Sequence, residues 1–306
     1  MGKASKRHTS RTDRTSAGGN PGRAGMPSAA PFVRRPFEGL TGETDWVAMR
    51  EILPAATAQV TLREGAATSL PDDAPREATI ATVLPMAWPA LHRQGGTVMV
   101  STQTGAMSGD ASRDLAAAWL LAAAADEGHP VAQVPTPTTE SPRLQDLIDP
   151  DVSFDLTLFD GFGFWVGDTE LDDESAASLE AANASVVPTV RLNGAPSVYW
   201  VRFGERTYVR WVMPQDEDAA TDGLARLAAR GEQRLTEDAR LLGAFRASGL
   251  LVPVWEVDAS REAESFSEAV ATMAPRLTEA ASLTAALTSE ERRARNGLLS
   301  RQVTLR

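Results

Sequence analysis

One histidine and two aspartates have the types and positions that acid–base chemistry requires. His92 follows a predicted strand, whereas Asp110 and Asp114 open a long Ala/Leu-rich helix after a short Ser/Gly loop. A histidine held by carboxylates can act as a general base that those carboxylates orient. Asp110 also suits the N-cap position of the helix, a structural role that needs no catalysis. A hydrolase-like His/Asp site is therefore one hypothesis, and a helix cap is the simpler one.

The loop before that helix, residues 104–110, joins a predicted strand to a predicted helix and could present main-chain amides to a phosphate. It has neither the Gly-Lys-Ser/Thr ending of the P-loop nor the Gly-x-Gly-x-x-Gly spacing of the dinucleotide fingerprint. Asp110 would also repel an anion. We therefore interpret the loop as a turn and a cap, and we expect no nucleotide cofactor.

The stretch 197–213 predicts a β-hairpin that turns at Gly204-Glu205. One face of the hairpin is apolar and is expected in the core. The opposite face is expected to be less buried. Aromatic residues and arginine are enriched at partner hot spots, so this face predicts a site for a protein partner, with burial under later helices as the alternative. Its residues, paired across the strands, are Tyr199 opposite Arg210, Val201 opposite Tyr208, and Phe203 opposite Arg206.

A second aromatic stretch, residues 160–165, places rings on both sides of a glycine after a predicted strand. Glycine permits a sharp turn or a bulge there. The rings of Phe162, Phe164 and Trp165 are then expected either to form a corner of the core or to line a binding edge. We include these three residues in the predicted partner-binding set.

Charge is distributed unevenly along the chain, whose net charge is −11. Residues 1–35 carry about +7 and residues 290–306 about +3, which leaves about −21 for the middle. The first segment has few large apolar side chains, a composition that predicts disorder. A polyanion such as RNA or the ribosome is its expected partner, with a solubilising tail as the alternative. The polyanion-binding residues are predicted to include Lys3, Lys6, Arg7, Arg11 and Arg14.

The composition excludes several kinds of site. The chain has no cysteine, so disulfides, Cys-ligated zinc and thiol catalysis are excluded. It has three histidines, which are too few for a histidine-rich metal site. An all-carboxylate site for a hard cation is the alternative, but we expect no metal and no cofactor. No apolar run reaches the roughly 20 residues of a membrane span, and the N-terminus lacks an apolar signal core. We therefore expect a cytoplasmic protein.

Helical and strand patterns alternate along the chain and predict an α+β fold with antiparallel sheets. We expect a disordered basic leader over 1–35, α+β units over 36–184 and 185–288, and a C-terminal helix and tail over 289–306. A helix is predicted over 237–247, and Pro275 is expected to kink or break another. The two units repeat a similar α-β-β-β-α order of elements, so an internal duplication is one hypothesis, and chance similarity is the other.

Several stretches resemble a family of actinobacterial proteins with a domain of unknown function. They begin at Pro36 (PFEGLTGETDWVAMREILPAATA), Val83 (VLPMAWPALH), Ser108 (SGDASRDL) and Pro142 (PRLQDLID). The basic Met-Gly-Lys leader and the C-terminal half are similar too. The resemblance implies a cytoplasmic actinobacterial protein and carries no catalytic residue to this chain. Such proteins are sometimes labelled preprotein-translocase related, but the cysteine-bearing zinc motif is absent here.

The order of elements also resembles type III secretion chaperone-like folds, which bind protein partners on a sheet or helix face. That likeness concerns the fold alone. We therefore predict a non-enzymatic adaptor whose body binds a protein partner and whose leader contacts a polyanion. The alternative is a hydrolase-like enzyme that uses His92, Asp110 and Asp114.

Overall fold

A computed structural model describes residues 28–66, 69–105, 108–167 and 170–300 as an α+β structure with two sheets. The helices are α1 (Glu43–Glu51), α2 (Ala111–Ala123), α3 (Leu144–Leu147), α4 (Asp173–Asn183), α5 (Glu217–Ala229), α6 (Ser267–Ser282) and α7 (Ser289–Ser300). The strands of the first sheet are β1 (Ala56–Thr61), β2 (Glu77–Ala81), β3 (Ala90–His92), β4 (Val98–Ser101), β5 (His129–Val131) and β6 (Thr157–Leu158). Those of the second are β7 (Thr189–Arg191), β8 (Val198–Phe203), β9 (Arg206–Trp211), β10 (Arg240–Ala247) and β11 (Leu250–Val257).

The first sheet has the strand order β5-β3-β4-β2-β1-β6, in which β2 and β4 are parallel and the other pairs antiparallel. Side chains alternate between the two faces of each strand. Ile80 and Val100 point to the face that α1 and α2 cover, in one continuous core. Ala81 and Met99 point to the opposite face, where a separate small apolar cluster covers one end of the sheet.

The second sheet is antiparallel, with the order β10-β11-β9-β8-β7. The predicted hairpin register is confirmed, because Tyr199 pairs with Arg210, Val201 with Tyr208, and Phe203 with Arg206. Its apolar face is also confirmed as core. This face packs with α5 and α6 through residues that include Val198, Trp200, Val209 and Trp211.

Helix α1 lies between the two sheets. Trp46 and Met49 share a core with the first sheet and with Tyr199 and Val252 of the second. Gly42 begins the helix in the left-handed conformation, with φ of 72°, and acidic residues occupy the first turn, where the helix dipole favours them. The units predicted from the sequence therefore share one core across α1.

Residues 28–36, here called the strap, lie across both units. The Ala30 N–H donates to Pro137 O at 2.9 Å, and the Val33 N–H donates to Gly109 O at 2.8 Å. Arg35 binds the Glu43 carboxylate through two nitrogens, at 2.6 and 2.9 Å, and Asp216 at 2.8 Å. The leader boundary predicted at residue 36 is therefore too late, because residues 28–35 are already bonded to the body.

The strap packs so closely against the β10–β11 turn that the turn needs a glycine at position 249. Gly249 has φ of 85°, and a Cβ there would lie 2.6 Å from Arg34 O. We expect Gly249→Ala to lower the free energy of unfolding by about 1–2 kcal/mol, because it adds left-handed strain and a clash with main-chain atoms. Urea unfolding measures this change, and faster proteolysis at Arg34 and Arg35 reports a displaced strap. Gly204→Ala is the control, since a Cβ at Gly204 (φ of 60°) contacts nothing within 4 Å. Equal stability losses in the two variants would contradict the clash.

One local prediction was wrong, and the predicted break at Pro275 does not occur. The helix predicted over 237–247 is mostly strand β10, which pairs with β11 through a turn at Ser248 and Gly249, both of which have positive φ. Tertiary pairing therefore overrides the helical propensity of this Leu/Ala-rich stretch. Pro275 lies inside α6, which continues through it from residue 267 to 282.

The predicted duplication receives no support from the sheet topology. The first sheet contains a parallel pair, and the second contains none among its described strands. The two units also differ locally, because helix α3 follows Arg143 in the first unit, whereas Arg240 begins strand β10 in the second.

Candidate protein-binding site

An aromatic cluster covers one end of the outer face of the first sheet. The rings of Phe162 and Trp165 stack with centroids 4.3 Å apart, and Phe159 lies 5.2 Å from Phe164. Phe164 and Trp165 pack with Trp88 against Leu84 and Met99. We call this cluster, together with the turn at residues 84–88 that carries Trp88, the aromatic corner; its rings are those of Trp88, Phe159, Phe162, Phe164 and Trp165.

Polar bonds hold the aromatic corner in place. The Trp165 Nε1–H donates to Val83 O at 2.8 Å, so the ring is fixed against the segment that follows β2. The Arg93 guanidinium donates to Phe164 O at 2.5 Å and to Trp165 O at 2.7 Å. Burial lowers the pKa of Arg93 below its ordinary value. Arg93 therefore fixes the backbone of the corner.

Part of the corner remains open to solvent. Phe159 is 37% exposed. Met86, on the turn that joins Leu84 to Trp88, is 84% exposed. Met86 and Ala87 have φ of 55° and 54°, a conformation that is uncommon for residues other than glycine. The turn thus keeps an apolar side chain outside the core at the cost of backbone strain.

The chain around the corner is strongly acidic. Between Leu144 and Val190 it contains no lysine or arginine. The acidic residues of that stretch are Asp146, Asp149, Asp151, Asp155, Asp160, Asp168, Glu170, Asp172, Asp173, Glu174 and Glu180. Helix α4 lies in this stretch, and none of its residues is buried. The rings at residues 159–165 therefore belong to a strongly acidic stretch of the chain, and Arg93 adds one positive charge beside Phe164 and Trp165.

The opposite face of the hairpin is not the exposed surface that we predicted. Tyr199, Tyr208 and Arg210 are 0%, 6% and 5% exposed, so within this chain they are buried. Phe203 is 36% exposed, and Arg206 is also exposed. The prediction failed because Tyr199 packs in the core with α1, and Tyr208 packs with Val201 and with Val254 of β11.

Buried polar contacts explain the residues on that face. The Tyr199 hydroxyl donates to Asp45 of α1 at 2.9 Å, and Arg210 donates to Ile52 O, at the end of α1, at 3.1 Å. Burial lowers the pKa of Arg210 to about 10. The position suits a cation, because the carboxyl end of a helix carries partial negative charge. The tyrosine and the arginine therefore attach the second sheet to α1.

The predicted His/Asp residues do not converge. His92 Nδ1 lies 2.7 Å from Ala125 O beyond the end of α2, so this nitrogen carries the proton and donates it. Asp110 is fully buried at the other end of α2, where it accepts from Ser112 N at 3.1 Å and contacts Arg113 and Arg143. At 1.5 Å per residue, these two ends are roughly 20 Å apart. Asp110 is thus a cap, as the simpler interpretation held, and Asp114 lies one turn further along the helix.

Metal ligands, membrane-spanning helices and the leader residues also bear on the predicted chemistry. The described ranges hold no group of three or more His, Asp or Glu side chains placed to bind a metal ion. Within the same ranges, no helix is long and apolar enough to cross a membrane. The leader residues Lys3, Lys6, Arg7, Arg11 and Arg14 lie outside the described residues, and their binding to a polyanion stays a prediction.

Sequence reasoning found only part of the corner. It identified Phe162, Phe164 and Trp165 from their glycine-spaced pattern, but it missed Phe159, Met86 and the anchoring role of Arg93. The pattern Leu-Pro-Met-Ala-Trp at 84–88 offered one signal, because an apolar side chain beside proline after a strand suggests a turn. The contact between this turn and Phe164 depends on tertiary packing that no local pattern shows.

Comparison with known proteins places the chain in a family but assigns it no activity. Searches of curated proteins and of solved structures found no match. A family model described as a family of unknown function, DUF5926, matches residues 36–306, which is most of the chain. The resemblance seen in the sequence is thereby confirmed at the level of a domain-of-unknown-function family, and the chain belongs to the DUF5926 family.

Proposed function

We propose that this protein is a non-enzymatic adaptor that binds a protein partner at the aromatic corner. The observation that carries the proposal is the combination of stacked, partly exposed rings with Met86, which a strained turn holds 84% exposed. Aromatic residues and methionine are enriched at protein interfaces. A rigid aromatic surface also loses little conformational entropy when a partner binds.

The charge around the corner indicates the chemistry of the partner. Eleven acidic residues between 144 and 190, with no lysine or arginine among them, favour a positively charged approach surface. The apolar rings favour an apolar anchor. We infer that the partner presents one or two large apolar side chains flanked by lysine or arginine.

The enzyme alternative has less support. His92 and Asp110 are held at opposite ends of α2 by the contacts described above, and both are buried. A general base must lie within hydrogen-bond reach of the group that it serves. A hydrolase that uses these residues would require α2 and its neighbours to rearrange.

The proposal is tested by capture with matched surface variants. Purified full-length protein, Met86→Ser, Phe159→Ser and Leu283→Ser are each immobilised and exposed to the same lysate, followed by quantitative mass spectrometry. Leu283 is the control, because it is 48% exposed and lies between α6 and α7. A partner of the corner is retained by the wild type and by Leu283→Ser, and its recovery falls about ten-fold or more with both corner variants. Circular dichroism checks that each variant is folded.

Binding is then measured by calorimetry with the purified partner at several salt concentrations. We expect affinity to fall as salt rises, because the acidic surface contributes by charge attraction.

In the capture experiment, equal retention of every captured protein by the corner variants and the wild type would contradict the proposal. Loss of the same proteins from Leu283→Ser would contradict it as well.

A further inference from the structure

A cavity lies at the end of the parallel strand pair, at a different place from the aromatic corner. It has a volume of about 340 Å³ and is bounded by the residues that follow β4, by the first turns of α2 and by the loop at 134–137. Small-molecule sites commonly measure a few hundred cubic ångströms and commonly occur at the carboxyl ends of parallel strands. Neither the family nor the proposed function assigns this cavity a role.

The polar groups of the cavity favour a ligand that donates hydrogen bonds. Ser101 and Thr102 are fully buried in its wall, and their hydroxyls bond to main-chain oxygens. The polar side chains with solvent-accessible surface are the hydroxyls of Thr104, Ser108 and Thr136 and the carboxylate of Asp114. The described lining includes no lysine, arginine or histidine.

Asp114 is the charged group of this lining. Its Oδ2 accepts from Ser108 N–H at 3.0 Å, which fixes the carboxylate at the cavity edge. Burial raises the pKa of Asp114 above its ordinary value, although Ser108 donates to it and the charge of Arg50 on α1 acts in the opposite direction. A cation placed beside the carboxylate would favour its ionised form.

An anion and a metal ion fit this cavity less well than an organic ammonium does. The amino end of a helix commonly attracts anions, but Asp110 caps α2 and Asp114 follows in its first turn, so an anion would be repelled. A bound metal ion would require more ligands, since the described residues form no cluster of three potential ligands. An organic ammonium needs one carboxylate and a few hydroxyls, and the cavity offers both.

We propose that this cavity binds a small hydroxylated amine, such as an amino sugar or an amino alcohol, whose ammonium pairs with Asp114. The hydroxyls of Thr104, Ser108 and Thr136 then exchange hydrogen bonds with those of the ligand. Pro89, Leu115, Ala118 and Val134 supply apolar walls for its carbon skeleton.

The test is calorimetric titration of the full-length chain with glucosamine, and with glucose as the matched probe that lacks the ammonium. Asp114→Asn removes the charge while its amide oxygen still accepts from Ser108. Asp126→Asn is the control, because Asp126 is exposed just beyond the end of the same helix. Thr136→Lys is a second variant that places a positive charge at the exposed rim without altering the core.

We expect glucosamine to bind the wild type and Asp126→Asn equally. Binding should be about ten-fold or more weaker with Asp114→Asn and Thr136→Lys, and glucose should bind about ten-fold or more weakly than glucosamine. The proposal is overturned if glucose and glucosamine bind alike or if Asp114→Asn binds as the wild type does. Failure of both glucosamine and ethanolamine to bind folded wild-type protein at millimolar concentration would also overturn it.

Discussion

Replacement of Asp45 by alanine is expected to lower the free energy of unfolding by about 3–5 kcal/mol, the largest effect that we predict for a single side chain. Asp45 is 6% exposed and joins α1 to the second sheet. It accepts hydrogen bonds from the Ser197 and Tyr199 hydroxyls at 2.5 and 2.9 Å, and from Arg191 at 2.9 Å. Alanine leaves the buried Tyr199 hydroxyl without its acceptor, which costs about 1–3 kcal/mol, and removes the charged acceptor of Ser197 and Arg191. The Ser197 hydroxyl keeps only its contact with Thr44 Oγ1, at 2.7 Å.

Urea unfolding at neutral pH measures the effect of Asp45→Ala. Tyr199→Phe is the matched comparison, since it removes one hydrogen-bond donor and keeps the ring, and we expect it to cost only about 1 kcal/mol. Asp45→Asn should fall between the two, because an amide oxygen in the place of Oδ1 still accepts both hydroxyls, whereas the amide nitrogen in the place of Oδ2 cannot accept from Arg191. An Asp45→Ala protein as stable as Tyr199→Phe would show that this buried cluster does not attach α1 to the sheet.

Replacement of Glu217 by glutamine is expected to cost about 2–3 kcal/mol at pH 7. Glu217 is 5% exposed at the start of α5 and binds both Arg34 of the strap and Arg246 of β10. Glutamine keeps the size of the side chain but loses the charge on which both ion pairs depend. The two arginines are more than half exposed, so water can replace part of the lost interaction and limits the cost.

The effect of Glu217→Gln should depend on pH. Burial raises the pKa of Glu217, but hydrogen bonds from Arg246 and Arg34 outweigh burial and hold the pKa below its ordinary value of 4.5. A carboxyl whose pKa is lower in the folded state adds stability above its unfolded pKa and loses it as pH falls through the folded one. The difference between wild type and Glu217→Gln should therefore be full above about pH 5 and shrink below about pH 4.

Unfolding of both proteins at pH 7 and at pH 3.5 measures this dependence. Glu264→Gln, a change at an exposed site, is the control, and its free energy of unfolding should equal that of the wild type at both pH values. A difference that stays constant between the two pH values would mean that the charge of Glu217 does not hold the strap.

Local patterns were enough to predict much of the fold. The hairpin register followed from a two-residue turn flanked by β-branched and aromatic residues, and the C-terminal helix was predicted to begin at residue 289, where α7 begins. These elements are determined by neighbouring residues. Strand β10 was mistaken for a helix because its Leu/Ala-rich sequence also suits a helix and only pairing with β11 decides between the two.

The candidate site was harder to predict, because it too depends on contacts between distant parts of the chain. Tyr199 and Arg210 look like interface residues in the sequence, but their partners, Asp45 and Ile52, are more than 150 residues away along the chain. Met86 and Phe159 have ordinary sequence contexts, and their place at one corner depends on how the loops cross the first sheet. Burial of a polar face and assembly of a surface patch are both tertiary properties, so local patterns do not show them.

Hydrogen–deuterium exchange of the full-length chain, with and without its captured partner, tests the central claim most directly. If the aromatic corner is the binding site, peptides that cover residues 84–88 and 159–166 become protected when the partner binds. Peptides from α6 and α7, around Leu283, should exchange at the same rate with and without it. Protection confined to segments outside the corner would contradict the account, because the partner would then bind to another surface of the molecule.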